Sequence, residues 1–104
     1  MADQDDTGPK YLFVTADQEV KNSSRDYTGW AIATYPDLEI YEGDFVDGIW
    51  EGNGTYRYLS GEVYSGQWKK NLKHGLGTLT YPKIGEYKGF FENGWRHGEG
   101  VFTY

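Results

Sequence analysis

His74 and His97 are the residues best suited to holding a metal ion, and they stand 23 positions apart. A shared zinc needs both ring nitrogens within about 2 Å of it. If each 23-residue stretch is one β-hairpin, the two histidines are separated by two strand spacings, about 10 Å. They are therefore read as structural, bonding turn backbone or packing beside neighbouring glycines. Asp3, Asp5 and Asp6 begin like a calcium loop but lack its remaining ligand positions. Ser23, Ser24, Ser60 and Ser65 sit in no nucleophile motif, and the carboxylates are scattered. Gly75-Leu76-Gly77 has neither the third glycine of a dinucleotide site nor the Gly-Lys-Ser/Thr ending of a phosphate loop. With no cysteine in the chain, thiolate chemistry and disulfides are excluded. No catalytic residue, metal or cofactor is expected, and the chain does not read as an enzyme.

The elements behind these residues follow from composition. Fifteen glycines and nineteen aromatic residues in 104 positions cannot build a helical bundle, because an interior helix glycine costs about 1 kcal/mol. So many rings also supply apolar area that a disordered chain would lack. All-β structure with many turns remains. The net charge is −6, with eight acids against three bases in residues 1–40 and near balance thereafter. Nucleic acid is a poor partner for such a surface. The acidic, polar start does not resemble a signal peptide, so a cytoplasmic protein is expected.

An internal repeat decides the architecture. Tyr41-x-Gly43-x-Phe45, Tyr64-x-Gly66-x-Trp68 and Tyr87-x-Gly89-x-Phe91 recur every 23 residues. Eleven residues after each tyrosine comes a second element, Gly52-x-Gly54, Gly75-x-Gly77 and Gly98-x-Gly100, each followed by alternating aromatic or aliphatic positions. Both elements have the period of two that marks a strand. Asp47-Gly48, Lys70-Asn71 and Asn93-Gly94 fall between them and supply residue types that tolerate positive φ. Each unit thus reads as a hairpin. The glycines leave room for the rings to lie over the backbone. Rings above glycine grooves, repeated along the sheet, form a buried stripe in place of a globular core.

These motifs resemble the MORN repeat (membrane occupation and recognition nexus), whose pattern is close to Y-x-G-x-W-x-x-G-x-x-H-G-x-G. The resemblance covers residues 41–104 well and 28–40 weakly. Phe45 and Phe91 stand in place of Trp, and Glu51 stands where the other units have His74 and His97. The resemblance implies an elongated, single-layer array of antiparallel hairpins. The expected organisation is an acidic disordered tail over 1–10, then an irregular N-terminal cap with a degenerate repeat over 11–40. Repeats follow over 41–63 and 64–86, and a shortened one over 87–104. It also implies a non-enzymatic scaffold for protein–protein interaction in a cytoskeletal, ciliary or membrane-junction assembly. The alternatives are a module for anionic phospholipid (phosphoinositide) headgroups and the regulatory region of a larger enzyme.

Three sets of residues are candidates for binding. Lys69, Lys70 and Lys73 lie in a locally basic stretch that could meet anionic lipid. Trp50 and Trp95 fall in or near turns, where a ring finds little cover, and so suit a protein interface. Phe102 and Tyr104 lie on the outer strand of the last hairpin, for which this sequence holds no cap. That hairpin, 87–104, is expected to pair with a protein partner or with a second copy of itself.

Overall fold

A computed structural model describes residues 10–104; the acidic segment 1–9 lies outside the described residues. The described residues form nine strands in one antiparallel sheet: β1 (Leu12–Thr15), β2 (Val20–Lys21), β3 (Gly29–Thr34), β4 (Ile40–Val46), β5 (Ile49–Arg57), β6 (Val63–Lys69), β7 (Leu72–Tyr81), β8 (Gly85–Glu92) and β9 (Trp95–Thr103). Their spatial order is β2-β1-β3-β4-β5-β6-β7-β8-β9, so every strand after β3 lies beside its sequence neighbours. The array measures 51 × 25 × 24 Å. It is all-β, a single layer of hairpins, as the repeat requires.

The hairpin tips are set by their residues. Asp47 and Gly48, Lys70 and Asn71, and Asn93 and Gly94 all have positive φ, the mirror-image turn whose twist matches paired strands. Successive tips are tied together by backbone bonds. The Asn71 amide donates to the Trp50 carbonyl (3.1 Å), and the Gly94 amide to the Lys73 carbonyl (3.0 Å). At the N-terminal end β1 pairs with β3, and the two-residue β2 lies outside it. The loop after β2 is locked down by Ser24, whose hydroxyl donates to the Gly48 carbonyl (2.8 Å) and accepts from the Tyr11 hydroxyl (3.0 Å).

One face of the sheet carries the core. Tyr41, Phe45, Tyr64, Trp68, Tyr87 and Phe91 are buried there, with Phe13, Ala31 and Ala33 extending the stripe towards β1. Each hairpin holds an edge-to-face pair: Tyr41–Phe45 (5.1 Å, 82°), Tyr64–Trp68 (5.0 Å, 84°) and Tyr87–Phe91 (5.5 Å, 89°). The same contact links neighbouring repeats through Tyr41–Trp68 (5.5 Å) and Tyr64–Phe91 (5.0 Å). Such pairs contribute about 0.5–1.5 kcal/mol each beyond the area they bury. The stripe is therefore one continuous chain of rings.

The two glycines of each G-x-G element prove to have different tasks, where the sequence suggested one shared groove. The second lies under the tyrosine of its own hairpin. A Cβ on Gly54, Gly77 or Gly100 would fall 2.3, 2.3 or 2.2 Å from the hydroxyl of Tyr41, Tyr64 or Tyr87. Gly43, Gly66 and Gly89 stand directly opposite them across the ladder. The first glycine serves a bulge instead. Between Gly66↔Gly77 and Trp68↔Lys73, β6 spends one residue where β7 spends three, and Gly75 takes φ +71°. Gly52 and Gly98 do the same at +98° and +70°.

The stacked tyrosine hydroxyls bond to carbonyls three residues further along their own strand. Tyr41 donates to the Asp44 carbonyl (2.9 Å) and Tyr64 to the Gln67 carbonyl (2.8 Å). Burial holds the phenols of Tyr35, Tyr41 and Tyr56 well above their ordinary range and pushes Tyr64 up to about 12. A phenol raised above its unfolded value of about 10 stabilises the fold fully below that value. That stability is lost as pH climbs through the folded value. The array is accordingly expected to unfold between about pH 10 and 12. Tyrosinate absorbance should then rise together with loss of the strand circular-dichroism signal. Ionisation of all ten tyrosines near pH 10 with the sheet intact would place these rings in water.

Candidate functional site

Trp50, Lys73 and Arg96 occupy one repeat position, 23 residues apart, the second residue of each return strand. Each lies opposite the second aromatic residue of its hairpin: Phe45↔Trp50, Trp68↔Lys73 and Phe91↔Arg96. This register puts all three on the ring face. Each then donates an N–H to the last tyrosine of the preceding unit. Trp50 Nε1 reaches Tyr35 Oη (2.9 Å), Lys73 Nζ reaches Tyr58 Oη (2.5 Å) and Arg96 Nη2 reaches Tyr81 Oη (2.9 Å).

The three side chains also cover the repeat tyrosine below them. Trp50 stacks on Tyr41 at 5.0 Å and 15°. Lys73 Nζ lies 5.5 Å above the Tyr64 ring, with Tyr58 at 5.2 Å and Trp68 at 5.8 Å. The Arg96 guanidinium carbon lies 4.9 Å from the Tyr87 ring centre. An indole and two cations thus share one geometry, since each has a donor at its tip and can face a π-cloud. From the sequence, Trp50 is expected to have little cover and Lys73 to share a basic stretch with Lys69 and Lys70. A single test, reading every ninth residue after the opening tyrosine, would have grouped them.

The remaining candidates divide accordingly. Trp50 is half-buried within the stripe, which corrects its placement as a turn residue with little cover. Trp95 is 78% exposed and Tyr104 is 93% exposed, whereas Phe102 is half-buried against Tyr81 (5.8 Å) and Tyr104 (4.8 Å). Of the three lysines, Lys69 and Lys70 are exposed at the second hairpin tip, while Lys73 turns onto the rings. The structure does not bring the three together as one patch. His97 pairs with Glu92 (3.1 Å), and His74 lines a small cleft with Lys69, Lys70 and Glu92.

Two features of this surface can engage another molecule. One is a cleft of about 250 Å³ on the ring face, between Lys73 and Arg96, floored by Leu79, Tyr81 and Phe91 and flanked by Trp95. The other is β9, nine residues long, with β8 as its one neighbour among the described residues and all of it exposed except Phe102. The opposite edge of the sheet, β2, has two residues.

The third hairpin is also the least tied. In the first two units a side chain at the bulge accepts the amide across from it: Asp44 takes Asn53 (3.1 Å) and Gln67 takes Leu76 (2.8 Å). Phe90 stands at that position in the third unit and has no acceptor to offer. The Tyr87 hydroxyl bond to the Phe90 carbonyl is correspondingly long, 3.4 Å.

No curated protein matches the chain. Comparison with protein-family sequence models finds the MORN repeat at residues 41–63, 64–83 and 87–104, the same three hairpins whose tyrosines, glycines and rings build the stripe. With three consecutive matched units over more than half of its length, the chain belongs to the MORN repeat family.

Proposed function

We propose that this chain is a non-enzymatic scaffold that binds other proteins, with the C-terminal edge of the sheet as its docking line. The observation that carries the reading is β9: a long, exposed strand with one paired side, the template on which another strand adds. The family likeness extends the proposal to a cytoskeletal, ciliary or membrane-junction assembly. The exposed pair Lys69 and Lys70 favours a second reading, attachment to anionic phospholipid. Vesicle co-sedimentation lost on Lys69→Glu and Lys70→Glu supports that reading, and vesicles left in the supernatant by the unmodified chain reject it.

The simplest occupant of β9 is a second copy. Between repeats, a G-x-G-x-aromatic strand pairs with a Tyr-x-Gly-x-aromatic strand, as in Gly52↔Trp68, Gly54↔Gly66 and Tyr56↔Tyr64. Two β9 strands related by a two-fold axis at Gly100 reproduce most of that register. Gly100 meets Gly100, Gly98 meets Phe102, and both ring faces stay on one side of the extended sheet. Sedimentation equilibrium on the 104-residue chain should then show a dimer. The register is tested separately, because this two-fold places residue 99 opposite residue 101 of the copy. Under oxidation, a mixture of Glu99→Cys and Val101→Cys chains should cross-link, and neither should do so alone. A clean monomer at tens of micromolar, with Phe102 and Tyr104 amides exchanging freely, rejects self-pairing.

A further inference from the structure

We propose that the ring-face cleft between Lys73 and Arg96 is a recognition site for an acidic, extended peptide segment bearing two carboxylates around an apolar side chain. The proposal rests on the reading of the chain as a protein-binding scaffold, but it concerns a surface separate from the β9 edge.

Two cations face this cleft without a carboxylate. The ion pairs among the described residues are Arg25–Asp26, Lys88–Glu86 and His97–Glu92, so neither Lys73 nor Arg96 has an acidic partner. Lys73 is half-buried and Arg96, though exposed, lies along the rings, so both are held where an outside anion can meet them. Each spends one donor on a tyrosine hydroxyl. An ammonium has three donors and a guanidinium five, so both keep donors for a ligand oxygen. The ring contacts fix their positions before any ligand arrives, which lowers the ordering cost of binding.

The spacing selects the ligand. Lys73 and Arg96 lie on β7 and β9 with β8 between them, two strand spacings or about 10 Å across the sheet, and the pairing Gly75↔Phe91↔Arg96 sets them two residues apart along it. In a polyproline-type segment, residues three apart lie on the same side and about 9 Å apart. Acidic side chains at positions one and four of such a segment, each reaching outward beyond its backbone, can span the two cations. A side chain between them meets the apolar floor of Leu79 and Tyr81, and Trp95 stands beside the cleft as a ring that a bound chain would cover. A membrane fits this surface less well. Anionic lipid is held by several bases presented together at about 1 kcal/mol each, and here there are two, both laid against rings.

The probe is a blocked peptide of sequence Gly-Glu-Pro-Leu-Glu-Gly, titrated into the full chain and followed by amide and indole NMR. The Trp95 indole and Arg96 Nε–H signals are expected to shift with one common saturation curve, leaving the Trp30 indole on the opposite face unmoved. Glutamine in place of both glutamates should abolish the shifts. Lys73→Gln or Arg96→Gln should weaken binding about tenfold or more, as expected for losing one charge-assisted contact. Arg96→Lys should retain most of it, and the amide spectrum of each variant reports whether the sheet is intact. Lys69→Gln should leave binding unchanged. The proposal is overturned if millimolar peptide leaves Trp95 unmoved, or if both glutamine variants bind as well as the unmodified chain. It is equally overturned if bicelles carrying phosphoinositide shift Lys73 and Arg96 while the peptide does not. None of these outcomes depends on whether β9 self-pairs, which the sedimentation and cross-linking experiments decide.

Discussion

Replacing Trp68 by alanine is expected to cost about 3–5 kcal/mol, the range for a large ring removed from a packed interior. The ring is 5% exposed and sits among Tyr64 (5.0 Å), Trp50 (5.2 Å), Tyr41 (5.5 Å) and Tyr56 (6.2 Å). Its Nε1–H donates to the Gly54 carbonyl at 3.0 Å, so truncation also strips that acceptor of its partner. Trp68 joins the first repeat to the second, and in a linear array each unit is stabilised by its neighbour. Against a total stability of about 5–15 kcal/mol, the variant should be largely unfolded, or should unfold in two steps as the halves uncouple. Urea titration followed by the remaining tryptophans measures this. Trp68→Phe serves as the comparison, because Phe45 and Phe91 fill the same position in the other units. A loss below about 1 kcal/mol for the alanine variant would mean that the ring faces water.

Most of this architecture could be read from spacing because the repeat displays each local rule three times. The turn dipeptides, the alternating strands and the tyrosine–glycine partnership all depend on contacts within one hairpin. The rest depends on register. Nothing in the letters distinguishes Gly75 from Gly77, since their roles separate only when three residues of β7 are set against one of β6. The ladder of Trp50, Lys73 and Arg96 stayed hidden for another reason. The three side chains differ in charge and shape, and what they share, an N–H donor above a tyrosine, appears only after folding. Sorting the lysines by local charge put Lys73 with Lys69 and Lys70, whereas the pleat sends it to the opposite face from Lys69. The two-residue β2 has no periodicity to detect and is held by pairing with β1.

The same register explains why an array with so little interior can be specific. A glycine row in a sheet would ordinarily weaken it, through lost side-chain packing and a more flexible unfolded chain. Here the row carries tyrosines whose hydroxyls are satisfied by carbonyls three residues on, so each ring is pinned at both ends. The cost of the glycines is offset by ring contacts that no other residue would admit. The ladder residue above each ring then decides what the surface offers. In the first repeat an indole closes the stack; in the second and third, cations leave donors facing outward. One repeat position thus sets packing in one unit and binding chemistry in the next two.

Gly77→Val is expected to destabilise the array by about 3 kcal/mol or more, although valine is among the best strand formers. A Cβ at this position falls 2.3 Å from the Tyr64 hydroxyl oxygen, 2.5 Å from Cε1 and 2.6 Å from Cζ. The ring cannot step aside cheaply. It is fully buried, wedged between Trp68 and Phe91, and its hydroxyl is bonded to the Gln67 carbonyl. Valine must therefore either force the strands apart or expel the tyrosine, which forfeits interactions on the scale of a deleted core aromatic. Strand propensity argues the other way by at most about 1 kcal/mol, so the sign of the result separates the two effects. Gly98→Ala provides the contrast. Its Cβ would meet nothing within 4 Å, and the residue costs only the strain of an alanine at φ +70°, about 1–2 kcal/mol. Thermal and urea unfolding of the two variants side by side should thus rank valine at 77 as the more damaging. A neutral or stabilising Gly77→Val would show that no ring rests on that backbone, and the glycine row would have to be explained by something other than the tyrosines above it.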